Sequence, residues 1–435
     1  MTKVTGLQRN SCLLHGAIQT VRAIESAIPI VHSTSGCGFQ QYLSGGTLSG
    51  NSGSGYTGGL SLVSSNVIEK QVVFGGTSRL REQIKNTVKV QRGDLYVVLT
   101  GCTTELVGDD APAMTKEAQE QGYPVIIAST PGFKGGTHLG YSVTLKSIIH
   151  QLDKFTKVDR SKTPALVNIL GIVPEQDVFW KGNLEEIRRI LESTGVKVNT
   201  LFGLGQGIEE WTSVPKAELN IVLSSWGLAS AELLQEKYGT EYLYFDNIPV
   251  GPKDTSEFVK KVGESLKIAD DIINEVISKE EKRVAYYIEN SLDSFFKYNY
   301  KRRFAIVGDS SLSLGILSFL NNPLGLIPDK VIITDDVDLK TQEIIKNKFN
   351  NSDVEVIFTE DGKEIEKIIL NSNVELILGS SLEKSVAKEL DVAIIETSFP
   401  IAEELVLNKS YAGYNGSVSL LQDLGSAIIS KENGK

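Results

Sequence analysis

The sequence predicts an α/β fold made of three successive doubly wound domains, and three observations predict it. Short apolar runs recur and end in Gly, Ser or Thr; amphipathic segments separate them; and 435 residues exceed what one hydrophobic core usually holds. In the first set, residues 95–100 (Leu-Tyr-Val-Val-Leu-Thr), 124–128 and 72–74 are apolar at successive positions, as strands buried on both faces of a parallel sheet are. The second set comprises residues 165–171, 197–199, 219–223 and 242–245, with an amphipathic helix over 183–193 between the first two. The third comprises residues 304–308, 330–334, 355–358, 376–379 and 392–395. Each set reads as one Rossmann-like domain, a mostly parallel sheet flanked by helices. The expected divisions are 1–160, 161–300 and 301–435. Residues 154–163 form a polar linker leading to Pro164, and a charged helix over 256–300 carries the chain into the last domain. The final helix, after Gly416, is expected to pack back on an earlier domain.

Composition narrows the function classes. A formal net charge of −10 and a pI near 5.2 argue against a nucleic-acid partner, whose phosphates require concentrated Lys and Arg. The basic cluster Lys301-Arg302-Arg303 reads as a solvated junction before a strand. No apolar run reaches the length of a membrane span, and no signal-peptide pattern opens the chain, so it is read as cytoplasmic. Residues 44–65 are crowded with Gly, Ser, Thr and Asn and are expected to form either a binding loop or a plain surface excursion.

Nucleotide motifs are weak. Gly203-Leu204-Gly205-Gln206-Gly207 follows a strand, but no G-x-G-x-x-G opens a helix and no Walker A stretch is present. At residues 307–311 a strand runs into a helix, where Asp309 and Ser310 read as helix-capping residues. No nucleotide is therefore assigned to this chain.

The cysteines carry more information. There are three, Cys12, Cys37 and Cys102, all in the first quarter and beside small or polar residues. The odd count and wide spacing oppose a disulfide framework. Two readings stay open on spacing alone: buried, inert thiols, or soft ligands converging on a metal-sulfur cluster. None of the four histidines, His15, His32, His138 and His150, pairs with another at helical zinc spacing, and no C-x-x-C occurs, so structural zinc is not expected. His32 reads as a hydrogen-bonded histidine at a strand end, with a cluster-tuning role as the alternative.

The words around the cysteines are Pro29-Ile30-Val31-His32-Ser33-Thr34-Ser35-Gly36-Cys37, Val73-Phe74-Gly75-Gly76, Thr100-Gly101-Cys102-Thr103-Thr104-Glu105 through Asp110, and Ser129-Thr130-Pro131-Gly132-Phe133. The order continues in Asp177-Val178-Phe179-Trp180-Lys181-Gly182, in Val307-Gly308-Asp309-Ser310, and in Ser398-Phe399-Pro400 followed by Tyr411-Ala412-Gly413-Tyr414. Together, in this order, they resemble the nitrogenase component 1 family. The resemblance implies an oxidoreductase of paired homologous subunits, with an iron-sulfur cluster where two subunits meet. It also implies a separate ATP-dependent reductase protein that carries its own 4Fe-4S cluster and delivers low-potential electrons. Cys12, Cys37 and Cys102 match the family's cluster ligands. Three thiolates are an incomplete set for a four-iron cluster, so the remaining ligands are expected from an α-type subunit or from a second copy of this chain. Both an 8Fe-7S and a 4Fe-4S cluster fit such a shared site.

Absences matter as well. No cysteine follows Cys102 and no histidine follows His150, so the ligands that hold the active-site metal cofactor in the family's catalytic subunit are missing. The resemblance is therefore closest to a β-type subunit, and Glu105 points the same way. Some β-type chains add a hydroxyl ligand in a loop that matches Gly135-Gly136-Thr137, where the alignment places Gly136. Gly36, Gly38 and Gly101 would let backbone N–H groups approach a cluster, and Asp109 and Asp110 are expected to cap a helix beginning near Ala111. The function implied is electron relay to a reductive active site; a tetrapyrrole or organosulfur reductase subunit and a cofactor-assembly scaffold are the alternatives.

Overall fold

The computed structural model describes residues 5–52, 62–350 and 353–434. Among the described residues thirteen strands form three sheets, and every strand pair is parallel. The first sheet contains β1 (Ala27–His32), β2 (Val63–Ser64), β3 (Leu95–Thr100) and β4 (Val125–Ser129), in the order β2-β1-β3-β4. The second contains β5 (Leu166–Leu170), β6 (Lys197–Asn199), β7 (Leu219–Val222) and β8 (Glu241–Tyr244), in the order β6-β5-β7-β8. The third contains β9 (Arg303–Gly308), β10 (Ile327–Ile333), β11 (Glu355–Phe358), β12 (Leu376–Gly379) and β13 (Ala393–Glu396), in the order β11-β10-β9-β12-β13. In each sheet the strand order reverses at its first or second central strand, the crevice where open α/β sheets place ligands.

Register puts the strand ends of the first sheet level. His32 lies opposite Thr100, and Thr100 opposite Ser129, so the loops that leave β1, β3 and β4 emerge along one edge. Behind that edge runs the helix Leu13–Arg22, whose residues 13–21 are all buried, as an apolar helix in a core must be. It crosses the helix Thr137–His150 at backbone contact. A Cβ on Gly16 would overlap the Thr137 carbonyl, and one on Gly140 would overlap the Leu13 carbonyl. Only glycine permits this approach, and the approach fixes where residue 12 sits.

The apolar core is continuous across the three sheets, and smaller clusters fill the outer faces of the first and third. The helix Trp180–Glu192 contributes Trp180, Leu184, Ile187, Ile190 and Leu191, each buried side chain worth about 1.5–3 kcal/mol of transfer free energy. The closing helix, Gly413–Asn433, packs on Gly251–Leu266, Asp270–Lys297 and Trp180–Glu192. Among the described residues no helix is long and apolar enough to cross a membrane.

Three sequence expectations need correction. Residues 72–74 are not a strand but the end of the helix Glu69–Phe74; a three-residue apolar run has no period, and here Val73 and Phe74 face outward, 72% and 81% exposed. The charged helix over 256–300 is two helices, because Lys267 adopts φ 56° and ends the first, after which Asp270 and Asp271 open the second. Of the Gly/Ser-rich segment 44–65, residues 44–47 continue the helix Ser35–Thr47, residues 63–64 form β2, and residues 53–61 lie outside the described residues.

Candidate metal-sulfur site

Cys12 is delivered to the first sheet by a segment pinned to the third. Arg9 Nη1 donates to Glu383 Oε1 at 2.6 Å and Arg9 Nη2 to Ser398 Oγ at 3.2 Å, while Asn10 Nδ2 donates to the Thr334 carbonyl at 2.8 Å. The guanidinium is fully buried and its carboxylate partner nearly so, an arrangement that holds only while both charges are paired. Cys12 then forms the N-cap of Leu13–Arg22, bridges Gly136 in a short antiparallel pair, and is fixed by the Leu13 N–H donating to the Gly135 carbonyl at 2.8 Å.

Cys37 and Cys102 arrive from adjacent strands. β1 ends at His32 and leads into the first turn of Ser35–Thr47, where Cys37 sits; β3 ends at Thr100, and Cys102 begins the helix Cys102–Val107 after Gly101. Ser33 links the two loops. Its hydroxyl is 3.3 Å from Cys37 Sγ, and its side chain occupies the space a Cβ on Gly101 would need. Gly132, in the turn after β4, links the other pair. Its N–H donates to Cys102 Sγ at 3.1 Å, and a Cβ built on it would lie 2.8 Å from Cys12 Sγ and 3.2 Å from Cys102 Sγ. His15 closes the group, with Nδ1 3.2 Å from Cys12 Sγ and Nε2 3.2 Å from the Cys37 carbonyl oxygen.

Electrostatics at this edge favour anions. All three cysteines stand in the first turn or at the N-cap of a helix, and the helices Leu13–Arg22 and Cys102–Val107 have no side-chain cap among the described residues. The helix dipole favours negative charge at such ends. The thiols are half-buried and unlinked by disulfides. Burial pushes the His15 imidazole down in pKa, with its bond to the Cys37 carbonyl opposing, so the ring faces the sulfurs neutral. Among the described residues no three His, Cys, Asp or Glu side chains are grouped tightly enough for a single metal ion. A cluster of several irons needs its thiolates further apart than one ion does.

The other sequence candidates fall into place around this centre. Glu105 accepts hydrogen bonds from Thr100 Oγ1 and, at 2.6 Å, from Ser129 Oγ, tying the ends of β3 and β4 together. Asp110 caps Ala111–Glu120 as expected, accepting from the Ala113 N–H at 3.0 Å. Asp109 does not cap that helix: it accepts from the Gly76 N–H at 2.6 Å and pairs with His32 Nε2 at 3.1 Å. His32 ends its strand hydrogen-bonded, its Nδ1 2.9 Å from Ser65 Oγ, and burial pushes its pKa down against the pull of Asp109. Thr137 is buried and its hydroxyl has no hydrogen-bond partner among the described residues. Asp309 caps Ser310–Asn321, accepting from the Ser311 and Leu312 N–H groups.

Sequence reasoning missed Arg9, Ser33, Gly132 and His15. For His15 a signal existed, since a residue three positions after Cys12 shares its face of a helix. For Arg9 none did, because its partner lies 374 positions away.

Known proteins match this chain over its length. It is 26% identical to the nitrogenase molybdenum-iron protein beta chain of Frankia alni, over 96% of this chain and 81% of that one. It is 25% identical to the nitrogenase iron-molybdenum cofactor biosynthesis protein NifE of Clostridium pasteurianum, over 98% of this chain and 88% of that one. The solved structure of nitrogenase Cp1 at pH 6.5 shares the fold, with a TM-score of 0.81 at 20% identity, covering 99% of this chain and 94% of that one. The family profile for nitrogenase component 1 type oxidoreductases matches residues 12–429, which begin at the first of the three cysteines, and the chain belongs to that family.

Proposed function

We propose that this chain is the iron-sulfur subunit of a nitrogenase or nitrogenase-like oxidoreductase, with Cys12, Cys37 and Cys102 holding one side of a cluster shared with a second subunit. The observation that carries this reading is three half-buried thiols at three helix N-terminal ends, Cys12 and Cys102 against Gly132, where a side chain would not fit, and Cys37 joined to them through Ser33 and His15. A face bordered by exposed large apolar groups supports the shared site. Phe39 and Tyr42 lie on the Cys37 helix, Leu106 on the Cys102 helix, Phe133 beside Gly132, and Val73 and Phe74 on the helix packed next to Cys102–Val107. Exposed apolar surface of this kind marks an interaction site.

The donor set fits an iron-sulfur group but is one ligand short of a four-iron cluster, which accords with a homologous α-type partner or a second copy of this chain. When bound, such a cluster supplies low-potential electron storage and relay. This chain's residues fix the thiolates by helix dipoles, donate the Gly132 N–H to Cys102, place neutral His15 between Cys12 and Cys37, and shield one side from water. Donors to sulfur raise the potential of such a group, and burial lowers it. Low-potential electrons would come from an ATP-dependent reductase protein, and unoxidised thiols of this kind belong in a reducing, cytoplasmic setting. A division into domains near residues 160 and 300 places the whole donor set in the first.

A second reading, a cofactor-assembly scaffold, is favoured by the likeness to NifE and by a cavity of about 460 Å³ lined by Asn10, Gly136, Thr137, His138 and Trp226, next to Cys12. Anaerobic co-purification with metal analysis and identification of the partner chain separates the two. A stable homologous partner with iron bound and reductase-driven turnover is the expected result. Iron-rich complex that transfers its metal to another protein without turning over supports assembly, and purification as an iron-free monomer from iron-replete cells overturns both.

A further inference from the structure

Residues 6–10 occupy the ligand crevice of the third sheet. Open α/β sheets take their ligands at the C-terminal ends of the strands, and here the chain lays its own N-terminal segment across those ends. Past β11, Asp361 accepts from the Gly6 N–H at 2.8 Å and from the Leu7 N–H at 3.1 Å, and the Gly362 N–H donates to the Leu7 carbonyl at 2.8 Å. Past β10, the Thr334 carbonyl accepts from Asn10 Nδ2. Past β12 and β13 stand Glu383 and Ser398, which both accept from Arg9, and Ser398 Oγ donates in turn to the Val307 carbonyl of β9 at 2.6 Å. All five strands of the sheet therefore take part in holding this short segment.

The ion pair at the centre of the grip is built for direction. Arg9 presents two guanidinium nitrogens to the two carboxylate oxygens of Glu383, at 2.6 and 3.3 Å, a fork that fixes orientation as well as distance. Glu383 is itself held, its Oε2 accepting from the Ser380 N–H at 2.8 Å and from Ser380 Oγ at 2.7 Å. As a source of stability the pair is poor. Arg9 Nε is buried with no hydrogen-bond partner among the described residues, and a buried ion pair seldom outperforms apolar side chains of the same volume. What it does supply is a defined register between the parts it joins.

That register passes to Cys12. Only Asn10 and Ser11 separate it from Arg9, and both are held, Asn10 by Thr334 and Ser11 by a hydroxyl 2.6 Å from His15 Nδ1. A shift of Arg9 has no slack in which to dissipate. The sulfurs of Cys37 and Cys102 bond within the first domain, to the Ser33 hydroxyl and to the Gly132 N–H. One thiol of the three is thus tied to the third domain, and two are not.

We propose that the third domain clamps Cys12, with Arg9 as the positioning residue: its pair with Glu383 seats residues 6–10 in the crevice and thereby sets where the Cys12 thiol stands relative to Cys37 and Cys102. The purpose of the clamp rests on the iron-sulfur reading, since a seated Cys12 is a seated ligand. The positioning itself is measurable on the thiols alone.

The test is the alkylation rate of each thiol in the full chain, with its partner if one co-purifies, before and after iron is stripped by a chelator. The three cysteines fall in three separate tryptic peptides, so mass spectrometry follows iodoacetamide at each one. In the stripped Arg9→Met protein, Cys12 is expected to react at least about threefold faster than in the parent, with Cys37 and Cys102 unchanged, as local opening of one segment requires. Arg9→Lys keeps the buried charge and loses the fork. It is expected to move Cys12 in the same direction by less, and it decides the matter if Arg9→Met does not fold. Before stripping, Arg9→Met is expected to release iron to the chelator about tenfold faster than the parent, as loss of an outer partner does. Cys12 reacting at the parental rate in the folded variants overturns the proposal, as does equal acceleration of all three thiols, the mark of general loosening. A parent chain that holds no iron sinks the iron-sulfur reading, and the alkylation rates still decide the clamp.

Discussion

The edge of the first sheet and the equivalent edge of the third are built alike and finished differently. In both, parallel strands end level and pass into helices whose N-terminal N–H groups point toward the crevice. In the third, Asp309 closes its own helix end, and Asp335 accepts from the Ser310 N–H at 2.7 Å, from Ser310 Oγ at 2.7 Å and from Trp226 Nε1 at 2.9 Å. In the first, cysteine stands at or near the helix start, the ends at Cys12 and Cys102 have no side-chain cap among the described residues, and the thiols are half-buried. A closed edge is stability; an edge left open is capacity for a ligand. The same topology does either, and the residue at the helix start decides which.

The comparison breaks most readily at the thiols. Cys37→Ala or Cys102→Ala is expected to abolish cluster-derived absorbance and reductase activity of the purified complex while the circular dichroism of the chain is unchanged. Full iron content in both variants would remove these residues from the site. His15→Phe, which keeps an aromatic ring and removes the hydrogen bonds to Ser11, Cys12 and the Cys37 carbonyl, is expected to weaken iron retention about tenfold against a chelator, as loss of an outer-shell partner does. Retention equal to the parent would reduce His15 to a packing residue.

At the Asp309 cap the effect is on folding alone. Asp309→Ala is expected to cost about 1–2 kcal/mol in chemical denaturation through loss of the cap, with iron content unaltered; a drop in iron would show that this cap also supports the thiols. The smallest effect is a pH dependence. Burial, reinforced by Asp309, pushes Asp177 up to about 7. The folded chain then keeps a proton that the unfolded chain releases near the ordinary carboxylate range, so this contribution is complete at low pH and is lost as pH rises from about 4 toward 7. Asp309→Asn retains the cap and removes the neighbouring charge. Denaturation at pH 5, 6 and 7 should show a shallower decline in that variant than in the parent, by at most about 1.4 kcal/mol per pH unit. Equal slopes would clear Asp309 as the cause.

What was legible in the sequence was local. Buried parallel strands announce themselves as continuous apolar runs with small residues at their ends, so β3, β9 and β12 could be read directly, and with them the loops that hold Cys102 and Asp309. Residues 72–74 misled because their apolar character serves a surface and not a core. Asp109 misled because an acid before a helix can serve a distant donor, here Gly76 and His32, as well as the helix itself. The ion pair of Arg9 with Glu383 and the crossing at Gly16 and Gly140 depend on residues brought together only by the tertiary fold, and no pattern along the chain encodes them.

The exposed Phe39, Phe74, Leu106 and Phe133 around unprotected thiols carry a consequence for biosynthesis. A chain released without its counterpart presents a sticky, oxidisable face, open to aggregation and to thiol crosslinking. With the shared cluster proposed above, supply of this chain would have to match that of the covering subunit: overproduction alone should fill the insoluble fraction, whereas balanced co-expression should rescue the yield.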